Sequence, residues 1–351
     1  MFPRPDQILQ EVAEFNAKLA NSFSSLNKVG SIDVGMTPKE AVYEEDKLVL
    51  YRYKSVVDKP HRIPLLIVYA LVNRPYMTDL QKDRSLVKGL LDEGIDVYLV
   101  DWGYPDGGDR FLDLSDYIDL YLHHCVDHIC KAHNLPKINV LGICQGGTFS
   151  LCYSALHPER VQNLITMVTP VDFHTEDNLL SKWARQLDVD MMVETLGNIP
   201  GELLNWSFLS LKPFQLTGQK YLSMVDIMDN PKKLQNFLRM EQWIFDSPDQ
   251  AGEAFREFLK YFFQQNRLIH DTLDIGGKPV RLANITMPVF NVYATQDHLV
   301  PPAASLALEG KIGTKDYTTF TFDGGHIGIY VSGRAQKEIP PAIANWIKAR
   351  D

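Results

Sequence analysis

Cysteine is scarce in this chain, four in 351 residues, and the four sit at scattered positions. Neither a secreted disulfide framework nor a zinc site with paired ligand spacing fits that pattern. Long apolar runs are missing too. None approaches the roughly 18 residues needed to cross a bilayer, and Met1 to Asp6 open no signal peptide. Basic residues are outnumbered, 35 Lys and Arg against 44 Asp and Glu, for a net charge of −9. That balance argues against general nucleic-acid binding, and an anionic ligand needs a local basic patch working against the overall field. What is left is an ordinary globular composition, 45% hydrophobic and 23% charged, without a repeat or a low-complexity linker. The expectation is a reduced, cytoplasmic protein of one large domain or two small ones.

Ile8, Val12, Phe15, Leu19, Phe23 and Leu26 recur by threes and fours and predict an amphipathic helix over 5–26, within an N-terminal segment 1–28. Short apolar or β-branched runs follow at 48–53, 64–70, 95–100, 138–141 and 163–168. Helical stretches at 79–92 and 115–132 separate the later ones. Near-continuous apolar strands alternating with helices predict an α/β fold with a mostly parallel sheet covered on both faces. After Thr169-Pro170 the rhythm changes. From about 174 to 268 no strand run occurs, while three of the five tryptophans and five of the ten methionines gather there. Strand-like runs return at 287–293 and 317–322. The simplest organisation is a core of 1–173 and 284–351 with a helical cap, 174–283, inserted between two strands of one sheet.

The densest signal is Gly142-Ile143-Cys144-Gln145-Gly146-Gly147, lying between the 138–141 run and a helical stretch from Thr148 to Leu156. Strand, Gly-x-nucleophile-x-Gly, helix is the sequence form of a nucleophile elbow, as in the α/β-hydrolase fold. In that fold an acid follows the next-to-last strand and a histidine follows the last one. Asp297 and His326 stand at those two places. The predicted triad is therefore Cys144 as nucleophile, His326 as general base and Asp297 as the group that orients and stabilises His326. An oxyanion hole needs two backbone N–H groups. Gln145, next after the nucleophile, supplies one, and the loop after the 64–70 strand supplies the other, nearest Val72.

Cysteine at the elbow narrows the chemistry. A histidine partner and a helix N-terminus favour a thiolate. A thioester on that sulfur stays activated toward oxygen nucleophiles, so transfer from a thioester substrate to the enzyme is close to an even exchange and onward transfer to a hydroxyl runs downhill. Acyl transfer from a coenzyme A thioester to an alcohol suits such a site better than ester hydrolysis does.

The elbow, together with Tyr69-Ala70-Leu71-Val72-Asn73-Arg74-Pro75-Tyr76, Val100-Asp101-Trp102-Gly103 and Gly325-His326-Ile327-Gly328, resembles the polyhydroxyalkanoate synthases. The length and the stretch from Gly197 to Trp206 are similar to their class III catalytic subunit. The resemblance covers nearly the whole chain. It implies polymerisation of (R)-3-hydroxyacyl-CoA, chiefly 3-hydroxybutyryl-CoA, with release of CoA and without a cofactor. It also implies a non-catalytic second subunit (PhaE type), a homodimer, and residence on cytoplasmic polyester granules.

Other residues carry weaker signals. His298 adjoins the acid, where it either touches substrate or shapes the turn that aims Asp297. Arg256 and Lys260 share a predicted helix face and either meet CoA phosphates or form a solvated charged face. His123, His124, Cys125, His128 and Cys130 crowd one helix, but without a glutamate after the first histidine they read as a helix edge and no metal is expected. Two rival functions use the same residues differently: a thioesterase or polyester depolymerase, with water as the acceptor, and a granule scaffold with a vestigial site.

Overall fold

A computed structural model describes residues 32–211, 227 and 230–350. The helix expected over 5–26 lies outside the described residues, as do Met224 and Met228. Eight strands form the central sheet: β1 (Lys39–Glu45), β2 (Leu48–Tyr53), β3 (Leu65–Val68), β4 (Val97–Asp101), β5 (Ile138–Ile143), β6 (Val161–Met167), β7 (Val289–Ala294) and β8 (Tyr317–Phe322). Their order is β1-β2-β4-β3-β5-β6-β7-β8. β2 runs antiparallel to both of its neighbours, and every other pairing is parallel.

Successive strand residues point to opposite faces, and here both faces are packed. Leu66, Val68, Val100 and Val140 join one core with α2 (Leu122–His133) and α3 (Gln145–Leu156). Leu65, Ile67, Leu99 and Leu141 join the other with α1 (Leu86–Asp92). Burial on both sides is why these strands read as continuous apolar runs rather than alternating ones. β1, by contrast, is not marked in the sequence: Lys39-Glu40-Ala41-Val42-Tyr43-Glu44-Glu45 is a charged edge strand, protected from stray pairing by that charge.

Two expected helices are shorter than their periodicity indicates. Asp79–Gln81 and Arg84–Ser85 pair as a small hairpin, and the helix begins only at Leu86. The buried Asp79 carboxylate explains the delay. It accepts from Thr37 N and Oγ1, at 2.9 and 2.7 Å, and from Ser85 Oγ. Ser85 Oγ in turn accepts from Lys88 N and caps α1. Asp116–Tyr121 forms a wide π-turn, and regular α-helix runs from Leu122 until Asn134 ends it in the left-handed region.

Between β6 and β7 the chain forms α4 (Leu179–Ala184), α5 (Val189–Leu196), α6 (Gly201–Ser210), α7 (Pro231–Phe245) and α8 (Gly252–Phe258), the last continued by a π-turn, Leu259–Gln264. Phe173, Phe258, Phe262 and Phe263 pack ring against ring at its base, and Phe258 meets Phe149 of α3 edge-on at 5.9 Å. A two-stranded hairpin, Asp274–Ile275 with Lys278–Pro279, follows. Leu268, Leu273, Ile275, Val280 and Leu282 around it pack into the same core as α2 and α3. α9 (Pro302–Leu306), α10 (Gly328–Val331) and α11 (Ala335–Lys348) complete the fold, with α11 covering the α1 face of the sheet.

Candidate active site

β5 ends at Ile143 and α3 begins at Gln145, so Cys144 alone makes the turn. Its φ of 55° and ψ of −124° lie where side-chain-bearing residues rarely sit. Neighbouring backbone holds it there: Cys144 N donates to Met167 O at 3.0 Å, and its carbonyl accepts from Gly147 N at 2.9 Å. A Cβ at Gly146 would lie 2.2 Å from the Val68 carbonyl oxygen, so only glycine lets α3 come this close to the end of β3. From Gln145 to Ala155 every residue of α3 is buried, the environment that an all-round apolar helix requires. The positive end of that helix lies directly beneath the half-buried Cys144.

Asp297 sits in the turn after β7 and His326 in the loop after β8. One Asp297 oxygen accepts from Leu299 N and Val300 N, both at 2.9 Å. The other faces His326 Nδ1 at 2.6 Å. A carboxylate only accepts, so Nδ1 carries the hydrogen and Nε2 is left for Cys144, whose sulfur is near enough to act on the ring. Both groups are 5% exposed. Burial by itself lowers the imidazole pKa; the Asp297 carboxylate and then the Cys144 sulfur outweigh it, and the pKa is pushed up to about 10.

Val72 lies half-buried in the bend after β3. Gln145 is the first residue of α3, so its N–H is among those with no partner inside the helix. Its side chain does something the sequence does not disclose: Oε1 accepts from Leu71 N at 3.0 Å and so ties the loop beside Val72 to the elbow. Trp102 Nε1 steadies the same loop from below by donating to Tyr69 O at 2.9 Å. A second unannounced feature is the buried pair Tyr69 and Tyr330, close enough to act on each other and on the thiol. Burial is the main cause that raises both hydroxyls, and the Cys144 sulfur adds to it. Tyr330 stands one helical turn after His326, the only sequence signal that could have drawn attention to it.

The remaining candidates have contacts of their own. Arg256 and Lys260 both engage Asp190 of α5, at 3.4 and 2.6 Å, and Arg256 also meets Glu253 at 3.2 Å. His298 is half-buried next to Asp297 in the chain. On α2, His124 pairs with Glu45 at 2.9 Å, His128 lies against Tyr43 at 5.3 Å, His123 meets the Tyr153 hydroxyl at 3.2 Å, and Cys125 and Cys130 are buried. Among the described residues no group of three or more His, Cys, Asp or Glu is placed to hold a metal ion, and no helix is long and apolar enough to cross a membrane.

Comparison with known proteins agrees with this architecture. Residues 63–332 match the family described as alpha/beta hydrolase fold, and residues 6–90 match the N-terminus of poly-beta-hydroxybutyrate polymerase (PhaC). Poly(3-hydroxyalkanoate) polymerase subunit PhaC of Allochromatium vinosum is 61% identical, over 100% of both chains. Its counterpart in Thiocystis violacea is 60% identical over 99% of this chain and 98% of its own. That of Synechocystis is 55% identical over 98% and 94%. Among solved structures, Paleococcus ferrophilus monoacylglycerol lipase superposes with a TM-score of 0.53 at 15% identity, covering 86% of this chain and 99% of its own. A metagenome-derived lipolytic enzyme gives 0.51 at 13%, covering 83% and 95%. At such identities the likeness is one of fold alone. By its whole-length identity to these polymerase subunits and by its sheet, the chain belongs to the poly(3-hydroxyalkanoate) polymerase PhaC family, on the α/β-hydrolase fold.

Proposed function

We propose that this polymerase works through a covalent thioester on Cys144, using (R)-3-hydroxyacyl-CoA, chiefly 3-hydroxybutyryl-CoA, and no cofactor. The Cys144 sulfur attacks the thioester carbonyl, the C–S bond to CoA breaks, and His326 gives its proton to the departing CoA sulfur. His326 then takes the proton of an incoming hydroxyl, whose oxygen attacks the enzyme thioester; the ester bond forms as the bond to Cys144 breaks. Asp297 holds the imidazole tautomer throughout. The N–H groups of Val72 and Gln145 receive the negative charge that develops on the carbonyl oxygen.

The observation that carries this reading is a cysteine at φ 55° on a helix N-terminus, its sulfur near enough to raise the pKa of a histidine that is itself 2.6 Å from a buried carboxylate. Residues 174–283 serve as the cap that keeps water from the thioester, and the aromatic packing of Phe149 on Phe258 supports that role. Contact of Arg256 and Lys260 with CoA phosphates requires both to exchange Asp190 for the ligand. His298 is the remaining substrate contact we assign. A homodimer, a non-catalytic second subunit and a cytoplasmic granule surface complete the proposal.

The test is purified protein with 3-hydroxybutyryl-CoA, following CoA thiol release and the acyl product. Wild type is expected to make insoluble polyester, Cys144→Ala none, and Cys144→Ser little. Free hydroxy acid in place of polymer would make the chain a thioesterase, and undiminished CoA release by Cys144→Ala would remove the nucleophile assignment. If neither protein turns over, the assay is repeated with the second subunit.

A further inference from the structure

The loop that carries Val72 is held from two sides. From the core, Gln145 Oε1 takes the N–H of Leu71. From the cap, the end of α7 reaches residues 73–76 by several bonds. Trp243 Nε1 donates to Arg74 O at 2.9 Å. Asn73 Nδ2 donates to Ser247 Oγ. The Tyr76 hydroxyl donates to one Asp246 oxygen at 3.0 Å, and the Tyr104 hydroxyl donates to the other at 2.6 Å. Asn73 has a φ of 72°, so the chain turns sharply just after Val72 in a conformation that its partners must hold. Arg74 adds stiffness: its guanidinium bonds Asp101 at 2.7 Å and Gly103 O at 3.0 Å, and lies 4.1 Å over the Tyr104 ring.

Asp246 stands at the centre of this arrangement. Both tyrosines are protonated donors near neutral pH, as ordinary tyrosines are, and the pKa of each is raised further by partial burial and by the carboxylate beside it, although Tyr104 is half exposed. Hydroxyl-to-carboxylate bonds of this kind are about twice as strong as neutral ones. The segment is also close-packed against α6: Asn205 Oδ1 accepts from Ser247 Oγ at 3.0 Å, and a Cβ at Gly201 would lie 2.2 Å from Ser247 O. The end of α7 is therefore tied to the cap helix α6 on one side and to the loop on the other.

We propose that Asp246 is a positioning residue for acyl transfer: by gripping Tyr76 and Tyr104 it makes the placement of the Val72 N–H depend on the seating of the cap. This rests on the reading of Cys144 and Val72 given above. With the cap seated, the oxyanion donor is aimed; with α7 withdrawn, Asn73 loses the contacts that hold its turn and the donor drifts. Asp246 touches no reacting atom and acts through the loop.

Two reactions of the same sulfur separate this role from a merely structural one. Acylation by 3-hydroxybutyryl-CoA builds negative charge on a carbonyl oxygen and needs the donor. Alkylation by iodoacetamide displaces iodide from carbon, builds no oxyanion, and does not. Losing an oxyanion donor costs about 10²–10³ in rate, so misplacing one in Asp246→Ala is expected to slow Cys144 acylation at saturating substrate by about tenfold to a hundredfold. KM and the alkylation rate should stay within about twofold. Tyr76→Phe combined with Tyr104→Phe, which leaves Asp246 in place, should reproduce the loss, and Asp246→Asn, which keeps one acceptor oxygen, should recover part of it. Acylation at the wild-type rate in both the Ala and the double Phe variants overturns the proposal. So does alkylation that falls in step with acylation, because the site as a whole is then disturbed. Wild type that alkylates normally yet releases no CoA even with the second subunit present overturns the underlying reading, and the clamp with it.

Discussion

The imidazole of His326 holds its proton more tightly in the folded protein than an exposed histidine does, because a carboxylate and a sulfur face it from opposite sides within a buried site. A pKa raised on folding stabilises the fold wherever the proton is bound. The contribution is whole below the ordinary histidine value of about 6.5 and is lost as pH rises through about 10. Wild type is therefore expected to lose urea stability between pH 7 and pH 10. Asp297→Asn, which removes the larger electrostatic source, should show a flatter profile over that range. Equal slopes in the two proteins would show that the proton is not held by Asp297. The three polar residues of this centre are legible in the sequence because each follows the end of a strand, where this topology gathers side chains. Gln145 and Asp246 are not. Their partners, Leu71, Tyr76 and Tyr104, lie 74, 170 and 142 residues away, and nothing local marks a contact of that range.

At the scale of elements, the strand–turn–helix unit around Cys144 is the most tightly specified. Gly146 is placed by clash with neighbouring backbone, which cannot swing aside as a side chain can, and Gly147 by the Thr169 side chain. Gly146→Ala would put a methyl group 2.2 Å from Val68 O and 2.6 Å from Tyr69 O. Such overpacking costs about 1–3 kcal/mol or more, and the expected outcome is a sharp fall in thermal midpoint or in folded yield. Gly107→Ala, with nothing within 4 Å of the new Cβ, serves as the control and should be neutral. A Gly146→Ala protein with an unchanged midpoint would mean that α3 is free to retreat from β3. Most strands were legible because burial on both faces makes them largely apolar, with only isolated polar residues such as Asn139, Asn163 and Asn291. β1 was not, since its exposed edge selects charge, nor was the 79–85 hairpin, which depends on a buried Asp79 collecting Thr37 and Ser85 rather than on any periodicity.

For the molecule as a whole, charge and layering decide what reaches the elbow. The chain carries −9, and two cations suited to meet an anionic ligand, Arg256 and Lys260, are already matched by Asp190 and Glu253. Encounter with acyl-CoA, itself polyanionic, is then opposed by the long-range field, and salt that shortens the Debye length from about 30 Å at 0.01 M to about 10 Å at 0.1 M relieves it. The expected result is a kcat/KM that rises with ionic strength over that interval. A steep fall would reveal a basic entrance formed by residues other than these two. The insert between β6 and β7 was legible as a break in the strand rhythm, whereas its bonds to the Asn73–Tyr76 loop exist only in three dimensions. On the thioester mechanism and the clamp proposed above, those bonds bear on the length of the polymer. A growing ester chain is then lost to hydrolysis whenever its linkage to sulfur is both wet and electrophilic. With solvent admitted by the same element that aims the oxyanion donor, the two conditions exclude each other, and on that reading premature termination is suppressed by connectivity rather than by a perfect seal.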